Sequence, residues 1–569
     1  MLKKSLSPGI SRIVLGVIAL IVAGILFSIG LPKVTAGSGI LESKSMVWAI
    51  VLALAFIVLA VWGVILICQA VQFNNWAAKS GIEVKKDTTN KVAEFFKKVG
   101  KGIAGFFKKI YEEGKDIITT FIHGDWKTKL SYLVMGFGSI ARGQVLRGVL
   151  FLVFEIVFIV YMIFWGGYWL SMLPSLGIQG AEKSIDPILD TPVTIYHDNS
   201  FKILLYGVLT IFFIIAFIYT WRVNVKQNRI AEDILKKGKK LVSGKDDLRS
   251  LVDDNFHKTL LALPMTGIVL FTILPIVFMI LVAFTNYSGD NDGLNNLFHW
   301  VGLENFNTLF SWKSAGGVQS YSATFGEILV WTLIWAFFAT FTNYFLGMFV
   351  AMMINKKGIR LKKIWRGILV MTIAIPQFIS LLYVSKMFAK NGIVNGFLLS
   401  TNLITKSLPF WEDPTWAKVT VILINIWIGI PYLMLMVTGI LMNIPADLYE
   451  SAKIDGANPW QQYRKITLPY ILFITGPYLI SSFISNMNNF NVIFLLTGGR
   501  PNNPAASSAA GSVGYTDLLI TWLFKMTTGS ESKYYLASVV GIMIFVIVAA
   551  IALIVYNVLP SIKNEEDFQ

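Results

Sequence analysis

The chain is 569 residues long, 55% of them hydrophobic and only 14% charged, and its mean hydropathy is +0.63. Soluble globular proteins carry about 25% charged residues, so this composition argues against a soluble protein and indicates a surface that faces lipid. The net charge of +16 could suggest a nucleic-acid-binding protein, but the basic residues collect in alternate loops between apolar segments, which is typical of a multi-pass membrane protein.

Apolar runs of membrane-spanning length recur along the chain. About 20 helical residues at 1.5 Å each cross a hydrocarbon layer of about 30 Å. On this criterion we predict an all-α membrane protein with about ten transmembrane helices, over residues 13–31, 46–71, 146–170, 203–221, 260–284, 325–354, 367–388, 419–441, 470–496 and 535–560. Basic residues crowd every second loop, so we expect both termini on the cytoplasmic side of the cell membrane. A cleaved signal peptide at the first run is disfavoured, because the run lacks a small-x-small site and its removal would invert the loop charges.

The first four predicted spans and their charged flanks form an accessory N-terminal part, residues 1–258, before a six-helix core at residues 259–569. Within this part, residues 91–122 interleave phenylalanines with lysines, which predicts a basic amphipathic cytoplasmic helix on the inner leaflet. A solvated linker helix is the alternative. One acid, Glu155, falls inside a predicted span, and we expect it to pair with Arg142, Arg147 or a neighbouring helix.

The loop after the eighth predicted span, residues 444–469, has the pattern of two short helices joined by a turn. Pro445 suits the start of the first helix, and Gly456 can take the left-handed conformation that ends it. Asn458 then caps a second helix that begins at Pro459. The first helix presents a small apolar face to which another protein could approach closely, so the loop predicts a cytoplasmic binding partner.

Within this loop, Glu450-Ser451-Ala452, the glycine four residues after Ala452, and Ile466-x-Leu468-Pro469 resemble the EAA loop of ABC importer permeases. The family usually has alanine where Ser451 stands; both side chains are small, so we expect the packing to survive. The resemblance implies that the loop docks on an ATP-hydrolysing subunit. The residues implied in this coupling are Glu450, Ser451, Ala452, Asp455, Gly456 and Ala457.

Segments 425–432, 486–490 and 514–517, together with the coupling loop, resemble the MalF type of maltose/maltodextrin permease subunit from about residue 260 onward. The resemblance implies a type I ABC importer core. It also implies its partners: a second homologous permease of the MalG type, an ATPase dimer, an extracellular sugar-binding lipoprotein, an oligosaccharide substrate and membrane lipid, but no nucleic acid. Two departures from the enterobacterial form are four preceding spans instead of two, and a short loop over residues 285–324 where that form carries a folded domain. Docking of the binding protein should therefore differ, as in bacteria without an outer membrane.

The core spans hold neutral hydrogen-bonding side chains and almost no ionisable ones, which favours an uncharged substrate and coupling to ATP. Asparagine amides and tyrosine rings suit the hydroxyls and C–H faces of a sugar, although such side chains also bridge helices in membranes. By the MalF resemblance, the sugar-contacting positions are Asn425, Ile428, Gly429, Tyr432, Ser482, Asn486 and Asn489. Three prolines interrupt core spans, as hinges or as static kinks: Pro376, Pro431 and Pro477.

The chain lacks a Gly-x-x-x-x-Gly-Lys-Ser/Thr phosphate loop, so we expect no enzymatic activity and no cofactor, with the nucleotide chemistry on a partner. One cysteine, Cys68, and four scattered histidines show no metal-ligand spacing. The serious alternative is a permease of an ABC importer for another oligosaccharide, of raffinose or galacto-oligosaccharide type. More remote are an ion-coupled secondary sugar transporter, which should carry buried acids and an internal repeat, and a membrane-embedded enzyme, which should cluster acids or histidines at one membrane face.

Overall fold

The computed structural model describes residues 105, 108, 111–185, 190–311, 320–356, 358–506, 512–529 and 532–558. Among these residues, seven helices are long and apolar enough to cross a membrane, and a bent helix pair makes an eighth span if its halves are counted together. They coincide with the last eight predicted spans, so the predicted all-α membrane fold is confirmed. The predicted spans 13–31 and 46–71 lie outside the described residues.

The described residues pack into two compact units, which divide between Val301 and Gly302. The predicted functional boundary between residues 258 and 259 stays a prediction. The helices of the first unit after residue 125 are α1 Trp126–Leu130, α2 Phe137–Ile140, α3 Val145–Met172, α4 Ser200–Lys236, α5 Gly244–Val252 and α6 Phe256–Val282. A two-stranded antiparallel hairpin, β1 Glu182–Ile185 and β2 Pro192–Ile195, lies between α3 and α4.

Residues 111–123, the described end of the predicted amphipathic segment, are helical. Ion pairs from Glu113 to Arg222 and from Asp116 to Arg229 tie this helix to α4. Protein contacts therefore hold the acidic side of the helix, and its contact with the inner leaflet stays a prediction.

A polar network joins the turns before α3 to the second half of α4. Arg142, whose side chain is 1% exposed, donates to the Asp125 carboxylate at 2.5 Å and to the Asn228 amide oxygen at 2.9 Å. Asp125 also caps α1 by accepting from the Thr128 backbone N–H at 2.7 Å. Burial disfavours the ionised carboxylate, but the hydrogen bonds from Thr128 and the charge of Arg142 outweigh burial and lower the pKa of Asp125 below its ordinary value.

Glu155 is buried on α3, but its partner is not an arginine. Its Oε2 accepts from the backbone N–H of Met135 at 2.8 Å, whereas Arg147 donates to the Gln227 side chain at 2.8 Å. Instead of Arg142, Arg147 or a neighbouring helix, the partner is a backbone N–H, because the turn that contains Met135 folds back against α3 and brings an amide to the carboxylate.

The second unit is organised around one long central helix, α8. Its helices are α7 Glu304–Phe310, α8 Tyr321–Asn355, α9 Lys362–Ala374, α10 Gln377–Met387, α11 Ile393–Ser400, α12 Pro414–Asn443, α13 Ala446–Ile454, α14 Pro459–Met487, α15 Phe490–Leu496, α16 Leu519–Thr528 and α17 Tyr534–Val558. Helix α8 packs along α12 closely enough that a Cβ on Gly347 would lie 2.6 Å from the Leu433 Cβ. It also buries Trp335 and Tyr344, and the Tyr344 hydroxyl lies 2.6 Å from the Thr475 hydroxyl of α14.

The three prolines of the core behave differently. Pro376 separates α9 from α10, which meet at 93°, whereas Pro431 and Pro477 lie inside the continuous helices α12 and α14. Only the first produces a break, because Ile375 and Pro376 both take extended backbone angles there. The predicted span 470–496 is also divided, since α14 ends at Met487 and a separate helix, α15, follows.

A buried ion pair lies between α15 and α17. The Lys525 ammonium donates to the Asp517 carboxylate at 2.6 Å, and the Asp517 side chain is fully buried. The carboxylate also accepts from the Gly514 backbone N–H at 2.7 Å and from the Thr521 hydroxyl at 2.9 Å. Burial raises the pKa of Asp517 above its ordinary value, although Lys525 and the hydrogen bonds oppose this.

Candidate functional site

The predicted sugar-contacting face of α12 lies against α8. Gly429 faces Asn343 of α8 so closely that a Cβ on the glycine would lie 2.3 Å from the Asn343 Nδ2. A larger side chain at this position would occupy the place of the amide, which would have to turn away. The sequence argument did not single out Asn343; its signal was an asparagine inside a long apolar run, which is unfavourable unless it has a polar partner.

Two buried amide atoms at this helix contact have no hydrogen-bond partner among the described residues: the Nδ2 of Asn425 and the Oδ1 of Asn343. Asn425 is 6% exposed and Asn343 is 7% exposed. One atom is a donor and the other an acceptor, and leaving such a group unpaired costs about 1–3 kcal/mol. The contact is therefore chemically ready for a neutral ligand that both donates and accepts hydrogen bonds.

Tyr432 follows Asn425 and Gly429 on the same face of α12, since residues at i, i+4 and i+7 align on a helix. Its side chain is 54% exposed, and its ring centroid lies 6.3 Å from that of Tyr478 on α14, with the planes at 36°. Ser482 follows Tyr478 by four residues, so both lie on the same face of α14. The structure thus places Tyr478, which sequence reasoning missed, beside Tyr432 on the face of α14 that carries Ser482.

The asparagines at the end of α14 are already paired. The Asn486 Nδ2 donates to the Thr340 hydroxyl of α8 at 3.0 Å, and its Oδ1 accepts from the Asn489 Nδ2 at 3.4 Å. The Asn489 Oδ1 caps α15 by accepting from the Val492 backbone N–H at 3.2 Å. In this arrangement both residues serve as helix bridges and caps. Ile428, the remaining predicted contact, is half-buried and packs on the apolar cluster around Trp335.

The coupling loop has the predicted form of two helices with a glycine turn. Helix α13 ends where Gly456 adopts φ +75°, and the Ala457 backbone N–H donates to the Ala452 carbonyl at 2.8 Å. Asn458 caps the first turn of α14 in a capping box with Gln461. Pro445 precedes α13 as its N-cap, one position earlier than predicted.

The face of α13 that could meet a partner is solvent-exposed. Glu450, Ser451, Asp455 and Gly456 are exposed, while Ala452 and Ala457 are half-buried. Exposed apolar side chains on the same loop are Leu448, Ile454 and Trp460, at 46%, 87% and 66%. Together these residues form a protruding surface with acidic and apolar character.

One hydrogen bond links α13 to the transmembrane part of α14. The Tyr449 hydroxyl lies 2.8 Å from the hydroxyl of Thr467, which is buried. Both residues line a cavity of about 590 Å³ that also contacts the ends of α8 and α12. The side of α13 that carries Tyr449 is therefore anchored, while its opposite side is free to bind.

Comparison with known proteins gives the family. A family model described as binding-protein-dependent transport system inner membrane component matches residues 343–564. The maltodextrin transport system permease protein MalC of Streptococcus pneumoniae is 34% identical over 450 residues, which cover 77% of this chain and 97% of that protein. The chain belongs to this family of transport permeases. The permease is thus a multi-pass membrane component of a binding-protein-dependent transport system, and the resemblance predicted from the coupling loop is confirmed.

Two further relatives of the permease differ in coverage and in substrate. The galactooligosaccharides transport system permease protein GanP of Bacillus subtilis is 30% identical over 434 residues, which cover 76% of this chain and 97% of that protein. The maltose/maltodextrin transport system permease protein MalF of Escherichia coli is 35% identical over 258 residues, 45% of this chain and 48% of that protein. The MalF match is confined to under half of the permease, whereas MalC and GanP match most of it.

Proposed function

We propose that this permease is a membrane-spanning subunit of an ATP-driven importer for maltodextrins, in which it forms part of the translocation path. The unpartnered amide pair of Asn425 and Asn343 is the observation that carries the proposal. It supplies one donor and one acceptor in a helix contact, which suits the hydroxyls of an uncharged sugar. The relation to the maltodextrin permease MalC supports this substrate class.

The sugar-binding residues in this proposal are the seven predicted ones, extended by Asn343 and Tyr478. Asn425 and Asn343 bond sugar hydroxyls, and the exposed ring of Tyr432 packs on a C–H face. Asn486 and Asn489 take part when the helices rearrange, because their present hydrogen bonds to Thr340 and to each other are exchanged for bonds to the sugar. The unpaired and the paired asparagines therefore bind the sugar at two different stages of one transport cycle.

The coupling loop docks on an ATPase dimer in the cytoplasm. Its exposed surface, with Glu450 and Ile454, enters a groove of the ATPase, and the Tyr449–Thr467 hydrogen bond carries the resulting motion to α14. A second homologous permease completes the path, and an extracellular lipoprotein delivers the sugar. The permease has both termini in the cytoplasm and hydrolyses no ATP itself.

A galacto-oligosaccharide importer is the second candidate, favoured by the similarity to GanP. Both sugars are uncharged and present hydroxyls, so the same amide pair would serve either. Uptake of labelled maltotriose and of a labelled galacto-oligosaccharide by the same proteoliposomes separates the two candidates.

The test is reconstitution of this permease with its partner permease, ATPase and binding protein, followed by ATP-driven uptake. Asn425→Ala should lower maltotriose uptake about fivefold or more, since a hydrogen bond to the sugar contributes about 1 kcal/mol. Asn488→Ala is the matched control, because among the described residues its exposed side chain bonds only the Ile484 carbonyl, at 3.4 Å. Glu450→Ala should leave the sugar site intact but uncouple hydrolysis from uptake. Equal uptake by Asn425→Ala and wild type would remove the sugar site from α12.

A further inference from the structure

A half-buried lysine lies on the same face of α12 as the proposed sugar site. Lys418 precedes Asn425 by seven residues, so it lies two helical turns away, about 10 Å along the axis. Gly429 and Tyr432 follow on the same face. Because α12 begins after a loop predicted to be external, Lys418 lies on the outer side of the site.

The Lys418 ammonium is held over aromatic rings rather than by an acid. Its Nζ lies 4.9 Å from the ring centroid of Trp331 and 6.0 Å from that of Tyr515. Trp331 is 5% exposed and fixed by a hydrogen bond of 3.2 Å from its Nε1 to the Thr516 carbonyl. Cation–π contact partly replaces the hydration that the ammonium loses on burial.

Within the described parts of the chain, Lys418 has no ion pair or hydrogen bond. The acid Glu327 acts on it through its charge and accepts a hydrogen bond of 3.2 Å from the Asn503 amide. A half-buried ammonium has three N–H donors, and burial without acceptors is costly. The ammonium therefore has donors to offer to a ligand, at the point where a sugar would approach Asn425.

We propose that Lys418 and Tyr515 form an outer subsite that binds the distal units of a long oligosaccharide while its leading units contact Asn425 and Asn343. This inference rests on the proposed function. The ammonium donates to hydroxyl or acetal oxygens of the sugar, and the Tyr515 ring packs against its C–H surface. A carboxylate of the docked binding protein is the competing occupant. The recessed position of Lys418, against a buried tryptophan and in line with Asn425, favours the sugar.

The consequence is selectivity for chain length. We expect the inner site to hold a disaccharide alone, whereas a long maltodextrin extends past it over about 10 Å to Lys418 and contacts both sites. Loss of the ammonium should therefore weaken transport of long substrates and leave short ones unaffected.

The experiment compares labelled maltose with labelled maltoheptaose in proteoliposomes that hold the complete importer. Lys418→Met, which keeps the length of the side chain, should raise the KM for maltoheptaose about tenfold or more and leave the KM for maltose unchanged. Lys418→Arg should restore maltoheptaose transport. Lys406→Met is the matched control, an exposed lysine in the loop before α12, and should alter neither sugar.

The outcomes distinguish an outer sugar subsite from a contact with the docked binding protein. If Lys418→Met loses transport of both sugars equally, the outer subsite is overturned. It is also overturned if the variant needs a higher concentration of maltose-loaded binding protein for half-maximal ATP hydrolysis. If Lys418→Met does not assemble, Tyr515→Leu must give the same selective loss, or the inference fails. If the wild-type importer transports no maltodextrin of any length, the proposed function itself is overturned. Results with the variants alone bear only on the outer subsite.

Discussion

A methyl group added at Gly429 tests whether the close contact between α12 and α8 forms the sugar site. In Gly429→Ala the new carbon would lie 2.3 Å from the Asn343 Nδ2 and 2.6 Å from its Cγ. The amide of Asn343 must then turn away, because both atoms lie well inside contact distance. Overpacking of this kind costs about 1–3 kcal/mol, and alanine recovers about 1 kcal/mol in helix propensity. We expect a modest loss of stability, about 0–2 kcal/mol.

The functional effect should be larger than the loss of stability. With the Asn343 amide displaced, its acceptor is lost from the proposed sugar site, and maltotriose uptake should fall about fivefold or more. Gly439→Ala is the matched control on the same helix, because no described atom outside its own stretch of helix backbone lies within 4 Å of its new Cβ. It should assemble and transport like wild type.

A double-mutant cycle separates packing from sugar binding. Adding Asn343→Ala to Gly429→Ala removes the clash, so thermal stability of the purified complex should return while uptake stays low. Wild-type uptake by the single variant Asn343→Ala would refute the assignment of Asn343 to the site. Unchanged melting and unchanged uptake in Gly429→Ala would refute the close contact.

Three further predictions concern other parts of the permease. Tyr449→Phe removes the hydrogen bond to Thr467, so the ratio of ATP hydrolysed to sugar transported should rise severalfold while hydrolysis persists; a ratio equal to wild type in a coupled assay would show that the bond transmits nothing. The pKa of Asp125 is lowered in the folded state, so its stabilising contribution is complete above the ordinary pKa of about 3.9 and is lost as the pH falls through the folded-state pKa. The melting temperatures of wild type and Asp125→Asn should therefore converge in acid. Melting temperatures that differ by the same amount at every pH would contradict this. Lys525→Met strands the buried Asp517 and should cost about 3–5 kcal/mol, whereas adding Asp517→Asn should recover part of it; equal yields of folded single and double variants would argue against the ion pair.

The sequence alone determined the spans and the form of the coupling loop. Apolar length is a local property, so eight predicted spans reappear as helices or as the bent pair. The loop is local as well: the glycine turn at Gly456 and the cap at Asn458 depend on backbone conformations that neighbouring residues dictate. The structure therefore agrees with the predicted helix-turn-helix to within one residue at Pro445.

Only the tertiary structure decided what the polar residues do. Asn425 and Asn486 are both asparagines in apolar helices, yet among the described residues the Asn425 Nδ2 has no partner whereas the Asn486 Nδ2 donates to Thr340. The difference arises because their neighbours come from α8, more than 80 residues earlier in the chain. The contact of Gly429 with Asn343 and the position of Lys418 over the Trp331 ring arise in the same way. Periodicity places a side chain on a face, but the partner across that face is chosen by how the helices pack.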